Sequence, residues 1–536
     1  MASEAPVSNP SPAPRPRWGL AIGLKVATAA ALLWVLYGFE TPRESERTLA
    51  LFGVVIAAGG LALVWLLALS RLPWRVRLGS CGVLLALALA AVLLLEVRGV
   101  TGDLVPVVGW RWAAESTPLP ALGGEGGSLG LASAEPWPQF LGPRRDAVAP
   151  ALPLARDWEE NSPRVLRRWP VGEGWSSFTI AGGMLLTQEQ QGGQETVVAY
   201  DLENGEQRWV YGVAARFDSS LGGIGPRATP LVVGDVVFAY GALGRLDALE
   251  LSSGELRWSR DVVAENGGSV PPWGVAASPL AIGDAVVVAS GGPGASLAAY
   301  RQADGEKLWS AGDRDPSYSS PLLARLAGRD QVLLFSTSAL SSFDPRNGDL
   351  LWEFSWPEGQ PNVAQPVILS GDRVLVSTGY GIGAQMLLVE ESADGGLTAR
   401  SLWRSPRLKA KFTQIVEHEG FLYGLDEGVL TCIDEITGER RWKRGRYGHG
   451  QVLQLGDLLL VMAEDGELVL VEQNPEEWRE LGSVSLLSSK TWAPPALVSN
   501  WLAVRGDREA VLVELPVSGS KSSNGDNAVK EVGERG

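Results

Sequence analysis

Ala199-Tyr200-Asp201-Leu202-Glu203-Asn204-Gly205-Glu206-Gln207-Arg208-Trp209 is a phrase that the chain repeats. Reduced to its fixed positions, it returns at Ala248/Glu250/Ser253/Gly254/Trp258, Ala299/Asp304/Gly305/Trp309, Ser342/Asp344/Asn347/Gly348/Trp352 and Cys432/Asp434/Thr437/Gly438/Trp442. Two worn copies follow the same order, one as Glu390, Asp394, Gly395 and Trp403, the other reduced to Glu472 and Trp478. An apolar alternating run arrives at an acidic residue, turns at a short polar residue and glycine, and leaves toward a tryptophan. That is the pattern of a β-hairpin, in which glycine supplies the positive φ of the tight turn and the polar residue bonds the backbone. The tryptophan stands four residues past the glycine in each full copy, so it falls on one face of its outgoing strand, where a large ring can fill the gap between neighbouring sheets.

A second phrase has the same period. A small or polar residue, often with proline, leads an apolar strand at Ser177, Thr229-Pro230, Ser278-Pro279, Ser320-Pro321, Gln365-Pro366, Thr413, Gly450 and Pro494-Pro495. A repeat of roughly 36 to 51 residues suits one four-stranded propeller blade. Eight starts are answered by seven hairpin tryptophans, so Trp169, ahead of the first start, is read as the eighth. This predicts an all-β, eight-bladed propeller over 137–516, closed by pairing an N-terminal strand with strands around Trp501–Val504 and Ala510–Leu515, which removes the sheet edges that invite aggregation. Trp169, Trp209, Trp258, Trp309, Trp352, Trp403, Trp442 and Trp478 are then structural, and Asp201, Asp344 and Asp434 are turn formers.

The chain has 536 residues and a formal net charge of −15, but its start is of another kind. Three apolar runs, at about 18–39, 49–70 and 78–95, approach the roughly 20 residues that cross a bilayer as a helix. Lys25 near the start of the first run can snorkel. Arg15 and Arg17 precede the first run, and Arg71, Arg75 and Arg77 lie between the second and third, which predicts a cytoplasmic tail over 1–17 and export of everything after Leu95. No small-x-small cleavage site follows Phe39, so the first run is read as an anchor. Leu78-Gly79-Ser80-Cys81 does not end an apolar stretch, as a lipoprotein box must. Cys432 is the one cysteine beyond it, so the exported part has no internal disulfide. Residues 96–136 read as a flexible linker, Trp137-Pro138-Gln139-Phe140-Leu141-Gly142-Pro143 as an arm packed on the propeller, and 517–536 as a disordered tail.

The hairpin phrase resembles the tryptophan-docking motif of eight-bladed pyrroloquinoline-quinone-type propellers, a resemblance that covers about 137–515. The architecture is shared by quinoprotein alcohol dehydrogenases and by the BamB-like propeller lipoprotein of the outer-membrane barrel-assembly complex. Trp137-Pro138-Gln139-Phe140, Gly225-Pro226-Arg227-Ala228-Thr229-Pro230 and Tyr318-Ser319-Ser320-Pro321 look like a third, bacterial branch of PQQ-like repeat proteins. The dehydrogenase resemblance implies pyrroloquinoline quinone with calcium, an adjacent cysteine disulfide over the cofactor, and a catalytic aspartate. The lone Cys432 excludes the disulfide, and no calcium ligands match residue by residue, so no cofactor is expected.

Propeller ligands meet the loops at one mouth of the central channel, where residues just before the inner strands converge. The candidates are Glu173, Trp175, Arg227, Trp273, Tyr318, Lys411, His449, Lys490 and Trp492. Aromatic walls with cations among them suit a planar anion or a peptide carboxylate; the plainer reading is that such side chains plug the channel or cap blade edges. Other chemistry is poorly provided for. His418 and His449 are the only histidines and match no metal-ligand spacing, no Gly-x-Ser-x-Gly elbow precedes a helix, and the acidic charge disfavours nucleic acid. These features predict a non-catalytic platform in the bacterial inner membrane, with its propeller on the periplasmic side binding other envelope proteins or peptides. The alternative is a quinoprotein-like oxidoreductase.

Overall fold

The computed structural model describes residues 17–39, 44–112 and 135–518, and the chain divides into two compact units, Met1–Ser116 and Thr117–Gly536. Most of the expected cytoplasmic tail, the Gly/Ser-rich middle of the expected linker and the last residues of the tail lie outside the described residues.

The first unit holds three helices, Trp18–Leu33, Glu44–Val64 and Trp74–Leu94, the first two extended by π-helical turns at Trp34–Gly38 and Trp65–Leu69. All three are long and apolar enough to cross a membrane. The third starts at Trp74 rather than near Leu78, because Pro73 supplies a preset turn at its N-cap (φ −54°). Its first turn therefore carries Arg75 and Arg77. Arg77 stacks on Trp74 and donates to the carbonyl of Leu67, which the last turn of the second helix leaves open, and to that of Leu72 in the following loop. The predicted flexible linker opens instead on a hairpin, Leu95–Val100 with Pro106–Trp110. Val97, Val100, Val107 and Val108 favour strand, and the Thr101 amide closes the turn on the Val105 carbonyl at 2.9 Å.

In the second unit, eight antiparallel sheets follow in chain order as blades 1 (179–213), 2 (231–261), 3 (280–311), 4 (322–355), 5 (367–405), 6 (416–446), 7 (451–485) and 8 (496–514). Blade 8 lacks its outermost strand until Arg164–Pro170 pairs antiparallel with Glu509–Glu514. The ring is thus closed by the two ends of the propeller, held also by Arg164–Glu514 and Arg168–Glu509 ion pairs, both at 2.6 Å. Blade 7 carries a fifth strand, Val148–Ala149, parallel to Gln451–Leu455.

The hairpin phrase fastens most blades to the next. The ring of Trp209 lies against Gly254 of blade 2, that of Trp258 against Gly305, Trp309 against Gly348 and Trp403 against Gly438. The indole N–H of Trp209, Trp258, Trp403 and Trp442 donates to a carbonyl in the next blade's turn, at Leu251, Gln302, Glu435 and Asn474. A β-bulge just before each of these tryptophans sets the ring's direction.

Three of the expected fasteners differ. Trp352 faces the worn copy of blade 5, where nothing lies within 4 Å of a Cβ on Gly395, and its indole bonds Gln331 Oε1 within its own sheet at 2.6 Å. Trp478 precedes its strand, Arg479–Ser485, and the register held elsewhere by tryptophan is occupied by Gly482 opposite Leu470. The buried side chain of Trp158, from the segment before the ring, fills the space over that glycine. In blade 8 the register falls to Arg167, opposite Leu512, whose guanidinium donates to the Glu203 carbonyl. Trp169 sits two residues further, packed on Phe178 and Tyr200, and its ring still lies against Gly205 of the blade 1 turn, 3.7 Å from a Cβ placed there. Blade 8 takes its fastener from the N-terminal strand, as the reading of Trp169 expects, whereas the hairpin pattern does not reveal that Trp158 serves blade 7.

The inner-strand starts form a hydrogen-bonded ring around the channel. Ser177 Oγ donates to Pro494 O, Thr179 Oγ1 to Pro230 O and Ser319 Oγ to Ala364 O. Backbone amides of Thr229, Ser278 and Ala410 donate to Ser278, Ser320 and Ser377 hydroxyls, and Gln451 Nε2 bridges Phe412 O and Trp492 O. Every seam is crossed. The arm crosses the other end of the inner strands: Trp137 pairs with Ile180, Val232 N–H donates to Pro138 O, and Gln454 N–H to Ala147 O. Its Arg145, 3% exposed, reaches in to the carbonyls of Ser278 and Pro279.

Candidate functional site at the channel mouth

Eight of the nine candidate residues line up along the ring of inner-strand starts. The rings of Trp175 (blade 1) and Trp492 (blade 8) lie 4.7 Å apart, and Lys490 Nζ sits 3.6 Å from the Trp492 centroid and 4.9 Å from that of Trp175. Phe412 continues the wall at 5.0 Å from Trp492 and 5.5 Å from His449. His449 Nε2 is 3.3 Å from Lys411 Nζ, which also pairs with Glu427 at 3.1 Å and lies over Tyr380. On the other side, Trp273 stacks on Tyr318 at 5.1 Å and donates its backbone N–H to the tyrosine hydroxyl. Arg227 lies over Phe217 and donates to the carbonyls of Gly222, Gly223 and Gly225. Trp175 Nε1 donates to that same Gly222 carbonyl at 2.7 Å, so one glycine-rich loop joins blades 1 and 2.

Glu464 fixes part of this wall, accepting from Trp492 Nε1 at 2.8 Å and from the His449 amide at 3.0 Å. Burial pushes the Lys490 ammonium down to about 8, partly offset by Asp507 and Glu464, and the Arg227 guanidinium down to about 10. Both still favour the cation at neutral pH. Faces of tryptophan and tyrosine beside two such cations can hold a planar or carboxylate-bearing anion by stacking and charge-assisted bonds.

Glu173 does not join the wall. Its backbone forms a bridge with Gln190, and its carboxylate pairs with Arg508 at 3.2 Å. Phe412, Tyr380 and Phe217 were not among the candidates. Phe412 stands between Lys411 and Thr413 and was open to the same reasoning. Tyr380 follows the second strand of blade 5, and Phe217 the last strand of blade 1, so a search confined to inner-strand starts passes over both.

The propeller lacks the adjacent cysteine pair that the dehydrogenase resemblance implies. Cys432, the sole cysteine of the propeller, is buried in a blade 6 strand opposite Tyr423 and Trp442, and burial raises its thiol to about 12. No adjacent cysteine pair is available to cover a cofactor, and the Glu427 carboxylate is engaged by Lys411.

A ring of eight blades, seven of four strands and one of five, closed through its ends and fastened at most seams by hairpin tryptophans, defines a PQQ-like β-propeller. The chain belongs to the PQQ-like propeller family described as outer membrane protein assembly factor BamB, whose family model matches residues 164–273 and 194–444. Among solved structures it is similar to BamB from Moraxella catarrhalis at 16% identity, over 66% of this chain and 98% of that one, with a TM-score of 0.48. A quinohemoprotein alcohol dehydrogenase from Pseudomonas putida HK5 is similar at 12% identity, over 72% and 81%, also with a TM-score of 0.48. No curated protein matches the sequence.

Proposed function

We propose that the chain is a membrane-anchored, non-catalytic binding and assembly platform whose propeller receives an envelope protein or peptide at the channel mouth. The observation that carries this reading is the wall of aromatic and cationic side chains, with Trp492, Lys490 and Trp175 in mutual contact and Trp273 stacked on Tyr318. It stands at the starts of the inner strands, while the arm bonds their other ends. Family membership supports a platform, since the family's description is that of an assembly factor. Three helices able to cross a membrane support the anchor, and the arginines before the first helix and between the second and third favour a bacterial inner membrane with the propeller on the periplasmic side.

The test is crosslinking in membranes followed by recovery of the full chain, comparing wild type with a Trp273→Ala/Lys490→Ala double variant. Loss of specific partners from the variant is expected, whereas the same partners in the same amounts from both would contradict the site. Addition of calcium and pyrroloquinoline quinone to the purified chain separates the oxidoreductase alternative. No quinone absorbance should be retained, and retained absorbance with dye reduction would overturn the non-catalytic reading.

A further inference from the structure

The outermost strand of blade 6, Arg440–Arg446, carries five cations in seven residues: Arg440, Arg441, Lys443, Arg444 and Arg446. The other outermost strands carry from none to three, as in Leu350–Ser355 and Arg164–Pro170. Cations on an edge strand also deter edge-to-edge pairing, but the other blades do with fewer. Arg441 pairs with Glu476 and Lys443 with Asp426, whereas Arg440 and Arg444 are exposed and make no ion pair among the described residues. An open groove of about 560 Å³ is lined by Val429 and residues 440–444.

A second observation at the same edge points to the ligand. The hairpin leading into this strand turns at Asp434-Glu435-Ile436-Thr437-Gly438, and Ile436 is 69% exposed, more than any other large apolar side chain among the described residues of the propeller. The equivalent positions in the full copies of the phrase are Glu203, Ser252, Ala303 and Arg346. An apolar tip next to a row of arginines matches a lipid interface, where the apolar group enters the acyl boundary and the cations meet phosphates. An acidic strand adding to the sheet edge fits less well, because the strand is bulged at Arg441 and again at Arg444-Gly445, and bulges blunt edge pairing.

We propose that the blade 6 edge, Ile436 with Arg440 and Arg444, is a docking surface for the phosphate headgroups of anionic phospholipid. The proposal rests on the anchoring part of the functional reading, since helices held in a bilayer keep headgroups at high local concentration. It is independent of the channel mouth.

The full chain is reconstituted in nanodiscs of neutral phosphatidylcholine or of phosphatidylcholine with anionic phosphatidylglycerol, and amide exchange is followed over residues 429–446. Incorporation into the discs tests the anchor by itself. The proposal expects exchange about threefold or more slower in anionic discs, lost at about 0.5 M salt and lost in an Ile436→Ser/Arg440→Glu/Arg444→Glu variant whose other blades exchange as in wild type. Should that variant unfold, Ile436→Ser alone is expected to lose part of the protection. Equal exchange in both lipids overturns the proposal. So does protection produced equally by inorganic phosphate in neutral discs, which would assign the site to a free anion, or protection arising only on addition of an acidic protein.

Discussion

At the scale of single residues, the fastener depends on glycines that cannot carry a side chain. A Cβ on Gly254, at φ +73°, would lie 2.5 Å from the Trp209 ring, whereas one on Gly395, at φ +79°, meets nothing within 4 Å. Gly254→Ala should therefore cost about 3 kcal/mol, combining left-handed strain with overpacking, and Gly395→Ala about 1 kcal/mol, the strain alone. Denaturation midpoints of the two variants check this, and equal losses would mean that the ring does not bear on the turn. Glu195 is the second residue of interest: burial raises its carboxyl to about 7, opposed by a backbone N–H from Ala242 at 3.1 Å. The folded state thus holds a proton that the unfolded state releases near pH 4.5, so this group's contribution is most favourable at low pH and stability is lost as pH rises from about 4.5 to 7. The ceiling is roughly 3 kcal/mol. Glu195→Gln should flatten the decline in melting temperature across that window, and an unchanged decline would exclude Glu195 as its source.

At the scale of elements, the regular hairpins were legible in the sequence because turn, bulge and tryptophan recur within a few residues of one another. What was not legible required contacts between distant segments. Trp158 stands far from Gly482 in sequence, and nothing local marks it as the side chain that fills blade 7's empty register. Trp478, which keeps the spacing of a worn phrase, does not occupy that register. Trp158→Ala should cost about 3 kcal/mol or more, like truncation of a core aromatic residue, and Trp478→Ala about 1 kcal/mol. Comparable losses, or the reverse order, would return the fastener to Trp478. The same limit explains the site. Trp175, Arg227, Trp273, Tyr318, Lys411, His449, Lys490 and Trp492 share a strand-start position that sequence can reveal, whereas Tyr380 and Phe217 reach the wall from outside it. Glu173 holds the right position but is drawn away by Gln190 and Arg508.

At the scale of the whole molecule, the ring is closed by one seam unlike the others. Arg505 of blade 8, 1% exposed, donates to Thr187 Oγ1 and to the carbonyls of Gln188, Gly172 and Gly174 across the junction with blade 1. A buried guanidinium holding several acceptors leaves them without donors when removed, so Arg505→Ala should cost about 3 kcal/mol. Amide exchange should accelerate first in the closing strand, Arg164–Pro170; uniform acceleration in all blades would place the weakest seam elsewhere. The eight-blade count and the three apolar helices could be read from the sequence, and the arm that crosses the channel's other end was expected only as a packed segment.

The function of the propeller turns on whether ligands are received at the mouth. An aromatic photo-crosslinking amino acid, which keeps a ring in the wall, placed at Trp273, and the same residue at Leu350, on an exposed outer strand of blade 4, compares the two surfaces in the full chain in its membrane. Specific adducts from position 273 and none from 350, lost from 273 when Lys490 is also replaced by alanine, are the predicted result. Adducts from 350 alone, or from both positions and unaffected by Lys490→Ala, would contradict it.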